Sequence, residues 1–344
     1  FLLGTTNGFT TEFTHIGANL SSTYRYRVEA YENGGNNQAL SNVYVQLLFY
    51  PDPPEDTRIA TATVSLLDEI SLVVDIDENS TYNNTYILDR KEVETSIFGP
   101  PEWESLDVFT AGIGINFVDF VDINVFPKEQ QYDYRVIVQN GCQDNVDTTT
   151  VAKPMLLTGL SNNTRLVNTL FWTHYEGWDN GISSYRIYRS NDPGELGDLL
   201  VELPNVATSF EDDVSDLLFS PGEFCYSIEA IEAGSGITFN SMSNQMCLTL
   251  EPKIWVPNAF MVGGFNDIFN PVITFADFER YRMIIYGRWG DIIYDTFDIQ
   301  EGWDGTFGGE IAPQGVYAYF VSVQDGSGQV YEERGTVTLL ITDE

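Results

Sequence analysis

The chain has 344 residues and carries 51 acidic against 16 basic residues, a formal net charge of −35. That length allows two to four domains. A surface this acidic repels phosphate, which argues against nucleic acid as a partner and disfavours anionic lipid. Aromatic content of 14% with few lysines and arginines fits β-sandwiches better than helices or disorder. No apolar run approaches the ~18 residues of a membrane helix. The opening FLLGTTNGF lacks the charged leader and apolar core of a signal peptide, so an export signal is expected upstream of Phe1.

Residues 1–51 contain YRYRVEAYENGG (Tyr24–Gly35) and SNVYVQLLF (Ser41–Phe49). Alternation predicts strands, with Tyr24, Tyr26, Val28 and Ala30 on one face. The pair resembles the last two strands of a fibronectin type III-like sandwich, with Leu20 placed ahead of the strand as in that family. The segment is therefore expected to be the C-terminal part of such a domain. Pro51-Asp52-Pro53-Pro54 reads as a stiff extended linker.

Residues 52–152 are expected to form a second fibronectin III-like domain, with strands at SLVVDID (Ser71–Asp77), TYILDRKE (Thr85–Glu92), WESLDVF (Trp103–Phe109), FVDFVD (Phe117–Asp122) and YDYRVIVQ (Tyr132–Gln139). Residues 153–252 repeat the plan with NTLFW (Asn168–Trp172), SYRIYRS (Ser184–Ser190), SFEDD (Ser209–Asp213), FCYSIEA (Phe224–Ala230) and MCLTL (Met246–Leu250). YRYRVEA, YDYRVIV and FCYSIEA recur at intervals of about 100 residues, the length of one sandwich. YILDRKE and YRIYRSN recur similarly, as do FVDFVD and FEDDV. Core packing is the expected role of these aromatics, and tandem sandwiches joined by short linkers read as a stalk.

Cys225 and Cys247 fall on what should be the last two strands of the third domain, about a midpoint at Gly236. In a hairpin centred there they face one another, so a disulfide is expected, with two buried thiols as the alternative in a reducing compartment. Cys142 has no partner in its own domain and reads as a buried free thiol. Asp75, Asp77 and Asn79 imitate the start of a calcium loop, but Ser80 stands where glycine belongs and Tyr86 where glutamate belongs. Asp119 with Asp122, Asp212 with Asp213, and Asp304 offer oxygens at turns, and a solvated loop is the simpler reading for each. No cofactor is expected, and calcium is left open without a motif behind it.

The chain has two histidines, His15 and His174, and neither lies near a cysteine or a serine in a nucleophile-elbow setting. No HExxH, phosphate loop or dinucleotide fingerprint occurs. An enzyme is not expected. The turns YEGWDNG (Tyr175–Gly181) and EGWDG (Glu301–Gly305) are alike; an exposed Trp178 could stack on a sugar, but a structural role is the leading reading.

The stretch from Lys253 to Glu344 shows period-2 alternation through Tyr281–Tyr286, Asp291–Asp295, Val316–Gln324 and Arg334–Ile341, separated by Gly-rich turns at Gly287/Gly290, Gly302–Gly305, Gly308–Gly309, Pro313–Gly315 and Asp325–Gly328. WVPNAF (Trp255–Phe260), Asn266–Phe269, IIYGRWGDIIYDT (Ile284–Thr296), EGWDG, APQGVYAYFV (Ala312–Val321) and GTVTLL (Gly335–Leu340) occur in that order. These blocks resemble the gliding-motility-associated C-terminal domain, the type B sorting domain of the Bacteroidetes type IX secretion system. The resemblance covers 253–344 and departs at Met261-Val262-Gly263-Gly264, where the family has a longer Asp-bearing loop. It departs again at Gly287, where the family favours Asn and glycine keeps access to positive φ.

The resemblance implies an all-β fold: tandem immunoglobulin/fibronectin III-like sandwiches ending in a small β-sandwich sorting domain. It also implies partners in the type IX secretion machinery and a PorP/SprF-like outer-membrane β-barrel, a secreted protein at the cell surface, and a SprB-like gliding adhesin upstream. The alternative is the tail of a secreted polysaccharide-degrading enzyme. Trp303 and Tyr317 are expected to build the domain. Partner contact is expected at Arg288, Trp289, Gly290 and Asp304, with Arg288, a rare positive charge here, leading.

Overall fold

A computed structural model describes residues 1–19, 22–48, 57–76, 84–93, 101–111, 115–140, 143–234, 236 and 238–341. Leu20, Phe49, the Pro51–Pro54 run, Asp77, Asn79, Ser80 and Cys142 lie outside them. The described residues form strands and no helix.

The first segment is a long broken hairpin: β1 (Ser22–Tyr26), β2 (Glu29–Tyr31), β3 (Gln38–Leu40) and β4 (Tyr44–Leu48), with β1 paired to β4 and β2 to β3. Tyr24 and Tyr26 stack at 6.0 Å on one face. The expected continuation of that face fails: the strand breaks after Tyr26, and Val28 is 71% exposed.

The second unit contains β5 (Arg58–Val64), β6 (Ile70–Asp75), β7 (Asn84–Glu92), β8 (Glu104–Ala111), β9 (Phe117–Asp122), β10 (Tyr132–Gln139) and β11 (Asn145–Thr148). One sheet runs β5–β6–β9 and the other β8–β7–β10–β11. Alternation drives the layers together: Ile70, Leu72 and Val74 of β6 face Tyr134, Val136 and Val138 of β10 in one core. Each such aliphatic side chain contributes roughly 1.5–3 kcal/mol when fully buried.

The third unit repeats this order with β12 (Leu157–Asn162), β13 (Val167–Trp172), β14 (Ile182–Ser190), β15 (Asp198–Pro204), β16 (Ser209–Asp213), β17 (Glu223–Glu232), β18 (Asn240–Met242) and β19 (Met246–Thr249). Its sheets are β12–β13–β16 and β15–β14–β17, with β18 and β19 sharing the far edge of β17. In both units the first, second and fifth strands oppose all the others, which is the strand plan of a fibronectin-like sandwich. Cys225 and Cys247 are direct partners across β17 and β19, bonded with sulfurs 1.98 Å apart.

The repeated motifs meet inside each unit. Arg90 Nη1 donates to Asp122 Oδ2 at 2.7 Å, and Tyr134 donates to the same oxygen at 3.0 Å. In the third unit Arg189 Nη1 donates to both oxygens of Asp212, at 3.0 and 2.8 Å, and Tyr226 donates to Oδ2 at 2.8 Å. Each aspartate comes from one sheet and its Arg and Tyr from the other. These are therefore inter-sheet clasps rather than the turn-borne cation ligands weighed for Asp122 and Asp212.

The second and third units share one hydrophobic core. The YEGWDNG turn makes the joint. Trp178 is 7% exposed and donates through Nε1 to Ala60 O at 2.7 Å. Tyr175 packs 4.0 Å from it, and its hydroxyl accepts from Ala62 N. At Gly177 φ is 125°, and a Cβ would lie 2.9 Å from Ala152 Cα, so only glycine lets the turn close on the preceding chain. Arg58 reaches across to Glu232 at 2.8 Å. Trp178 is thus an interface residue and presents no sugar platform.

The C-terminal unit holds β20 (Lys253–Trp255), β21 (Ala259–Val262), β22 (Val272–Thr274), β23 (Asp277–Tyr286), β24 (Ile292–Thr296), β25 (Thr306–Phe307), β26 (Glu310–Ile311), β27 (Gly315–Gln324) and β28 (Val330–Ile341). Five strands form one sheet, β21–β28–β27–β23–β24, with β21 parallel to β28. The pairs β20–β22 and β25–β26 lie off this sheet. A separate core gathers Phe260, Phe269, Tyr281, Trp303 and Tyr317. Trp303 is fully buried and its Nε1 donates to Thr306 O.

Candidate docking pole of the C-terminal domain

Strand direction sorts the turns of this domain to two ends. β27 begins and β23, β28 and β21 all end at one pole, where the 287–291 turn, the 263–266 loop and the start of β24 also lie. The 305–312 hairpin joins them, since a Cβ on Gly305 would touch Val262 and Leu339. At the opposite pole, Gly326 N donates to Pro221 O of the third unit at 2.7 Å. The first pole therefore points away from the third unit.

That distal pole is rich in uncovered apolar side chains. Phe265 is 108% exposed and Trp289 is 91% exposed, with Ile292, Phe307, Ile311 and Val316 half exposed or more. Isolated exposed apolar residues are ordinary, whereas a set gathered at one end marks an interaction surface.

The turn that lifts Trp289 is closed by Gly290 N donating to Gly287 O at 3.0 Å and Gly287 N to Asp291 O at 2.7 Å. Positive φ falls on Gly290, at 86°, and not on Gly287 as the sequence suggested. At Gly287 a Cβ would sit 2.7 Å from Asp291 Oδ1, so a larger residue there would displace the Asp291 carboxylate.

Arg288 is exposed and forms no ion pair with any described residue. By contrast, Arg282 holds Asp295 at 2.8 Å and Arg334 pairs with Glu332 at 2.6 Å. Burial lifts the pKa of the Tyr317 hydroxyl, and the nearby Arg288 guanidinium pulls it partway back. That hydroxyl donates to Pro313 O at 2.6 Å, pinning the start of β27.

Asp304 turns inward on its own loop, where Oδ1 accepts from Thr306 N at 2.9 Å and Thr306 Oγ1 at 2.7 Å. It shapes the 304–307 turn. The four expected contact residues, Arg288, Trp289, Gly290 and Asp304, thus lie toward one pole, in different roles. Phe265 and Phe307 were missed; both sit beside paired glycines (Gly263-Gly264, Gly308-Gly309), and an aromatic at the tip of a Gly-Gly turn is the signal that could have found them. The shortened loop at Met261 closes by backbone alone, with Met261 N donating to Asn266 O and Gly264 N to Met261 O.

The histidines lie in tyrosine contacts. His15 Nδ1 is 2.9 Å from Tyr26 Oη, and His174 Nδ1 is 2.7 Å from Tyr185 Oη. Among the described residues, the one group with metal-ligand spacing is Glu223 with Cys225 and Cys247, whose sulfurs are bonded to each other.

Residues 254–339 match the CHU_C type IX secretion signal domain. The five-stranded sheet and its two poles are therefore those of a secretion signal, and the chain is marked for export by the type IX system. The signal domain occupies the last quarter of the chain. No curated protein matches the sequence. Among solved structures, a tetra-tandem repeat from the extending region of a large adhesion protein is similar at 9% identity, covering 93% of this chain and 82% of that one with a TM-score of 0.27. The FN1–FN3 domains of chicken CNTN1 are similar at 13% identity over 84% and 99%, with a TM-score of 0.20. Scores this low add nothing to the strand order, on which the sandwich assignment rests.

Proposed function

We propose that this chain is the stalk and export signal of a cell-surface adhesin, and that the distal pole of the signal domain docks to an outer-membrane partner barrel of the PorP/SprF type. The supporting observation is the pole itself, at the end farthest from the third unit. Trp289 stands uncovered next to Arg288, which pairs with no described acid, and Phe265 stands uncovered at the other edge of the same pole. An anchor residue of this kind, an exposed aromatic next to an arginine, is typical of interface hot spots. The free edge of β24, which flanks the Trp289 turn, offers main-chain hydrogen bonds to an added strand. The sandwiches space the upstream part from the membrane. This region acts by recognition rather than catalysis.

A pull-down of the tagged, secreted protein in mild detergent, with and without residues 253–344, tests this reading. Co-purification of a barrel only when the signal domain is present supports docking. The same partners without it, or none with it, would reduce the domain to a transient export label.

A further inference from the structure

Phe275 belongs by sequence to the signal domain, yet its ring lies in the core of the third unit. Ile273 and Ala276 on either side pack into the signal domain's own core, while Phe275 points the other way and joins Val214, Phe224 and Leu250. It is fully buried and meets the Phe224 ring edge-on at 6.5 Å. Its φ of 54° is a backbone region that a bulky aromatic avoids and that persists only where the surroundings hold it. Phe275 N donates to Leu218 O at 2.8 Å, which fixes the corner between β22 and β23 in place.

The third unit is shaped to receive it. Gly222 has no side chain where a Cβ would lie 2.9 Å from Phe275 Cβ and 2.8 Å from Leu250 O. Next to the plug, Gly326 of the signal domain rests on Glu223, and a Cβ on Gly326 would come within 2.5 Å of Glu223 Cβ. Lys253 Nζ donates to Asn163 O at 2.9 Å, and Phe219 lies 6.5 Å from Phe278.

We propose that the export signal is a two-domain unit, in which the third sandwich (β12–β19) forms part of what the secretion machinery receives. This rests on the export reading above. The plug has two effects that a flexible tether would lack. It holds the apolar distal pole away from the sandwiches, so that the pole does not fold back onto them and meets its receptor already oriented, at lower entropic cost. It also places one residue of the signal domain in the core of its neighbour, so neither domain reaches its final packing without the other. The kind of partner this fits is a receptor that accepts a folded, fixed pair of domains.

The test uses the full-length exported protein carrying Phe275→Gly, which removes the ring and relieves the positive φ, or Gly326→Val, which leaves both cores intact and pushes the domains apart. Each purified variant is scanned by calorimetry, and surface display is measured in cells. The expected result is that the shared transition of the third unit and the signal domain splits in two and that surface display is lost. Normal display of variants whose transitions have split would overturn the two-domain signal. An unsplit transition in both variants would overturn the plug as the coupling element. Wild-type display that survives disabling of the type IX system would instead overturn the export reading itself.

Discussion

Tyr226 donates its hydroxyl to Asp212 across 2.8 Å, and this bond ties the two sheets of the third unit together. Asn168 Nδ2 donates to the same hydroxyl at 2.9 Å, and Arg189 neutralises the carboxylate. Asp122 with Arg90 and Tyr134 repeats the arrangement in the second unit. Removing Asp212 strands the partly buried Arg189 guanidinium, whereas Arg90 would keep Glu104 and Asn124 O. Asp212→Ala should therefore cost about 3–5 kcal/mol, and Asp122→Ala less. Urea unfolding of the purified chain checks this, and a loss under 1 kcal/mol would mean that the clasp carries little of the inter-sheet attraction.

The buried tyrosines set an alkaline limit. Desolvation raises the hydroxyl pKa of Tyr134, Tyr175, Tyr226 and Tyr281, and pushes Tyr185 up to about 12 from an ordinary 10.0. A raised pKa means the folded state holds the proton longer, so the stabilisation is complete below pH 10 and is lost as pH climbs above it. Urea midpoints should stay level to about pH 10 and fall beyond it, in step with tyrosinate absorbance. A decline that begins well below pH 10 would point to another group.

Trp178 joins two units, so its loss should be felt in both. Trp178→Ala should destabilise by about 3–5 kcal/mol and separate the unfolding of residues 57–152 from that of 153–252. Calorimetry reads both effects. A single unshifted transition would show that Arg58–Glu232 and the Thr61, Ser241 and Met242 hydrogen bonds suffice alone.

Cys225 and Cys247 close a loop with a sequence separation of 22 residues. Replacing both by Ala should cost about 3 kcal/mol, from the freedom restored to the unfolded chain. The matching control is wild type under reductant, which should lose stability by a comparable amount.

Arg288→Glu and Trp289→Ala touch exposed side chains and should shift stability by no more than about 0.5 kcal/mol. Each should nevertheless abolish recovery of the outer-membrane partner in the pull-down. Retention of the partner by both variants would move the docking site elsewhere on the domain.

Strand identity and turn placement were largely legible, because alternation at Ile70–Asp75, Tyr132–Gln139 and Val316–Gln324 is a local property. The recurring tyrosine at 134 and 226 was visible as a repeat, but its bond to Asp122 or Asp212 was not, because the partners lie on the opposite sheet. Trp178 and Trp289 both follow or precede glycine in polar turns, yet one is sealed in a joint and the other is bare. What separates them is whether another unit arrives to cover the turn, and no local pattern encodes that. Phe275 was missed for the same reason. Gly287 shows a finer limit: positive φ was expected there, but it falls on Gly290 three residues later in the same turn.

In the signal domain, β28 follows every other strand in sequence yet lies second in the sheet, between β27 and the parallel β21. A chain that stopped before residue 330 would hold eight of the nine strands but lack β28, the strand that joins β21 to β27. The pole formed where β21, β27 and β28 converge would then never assemble. The pole is therefore the last part of the domain that a growing chain can complete.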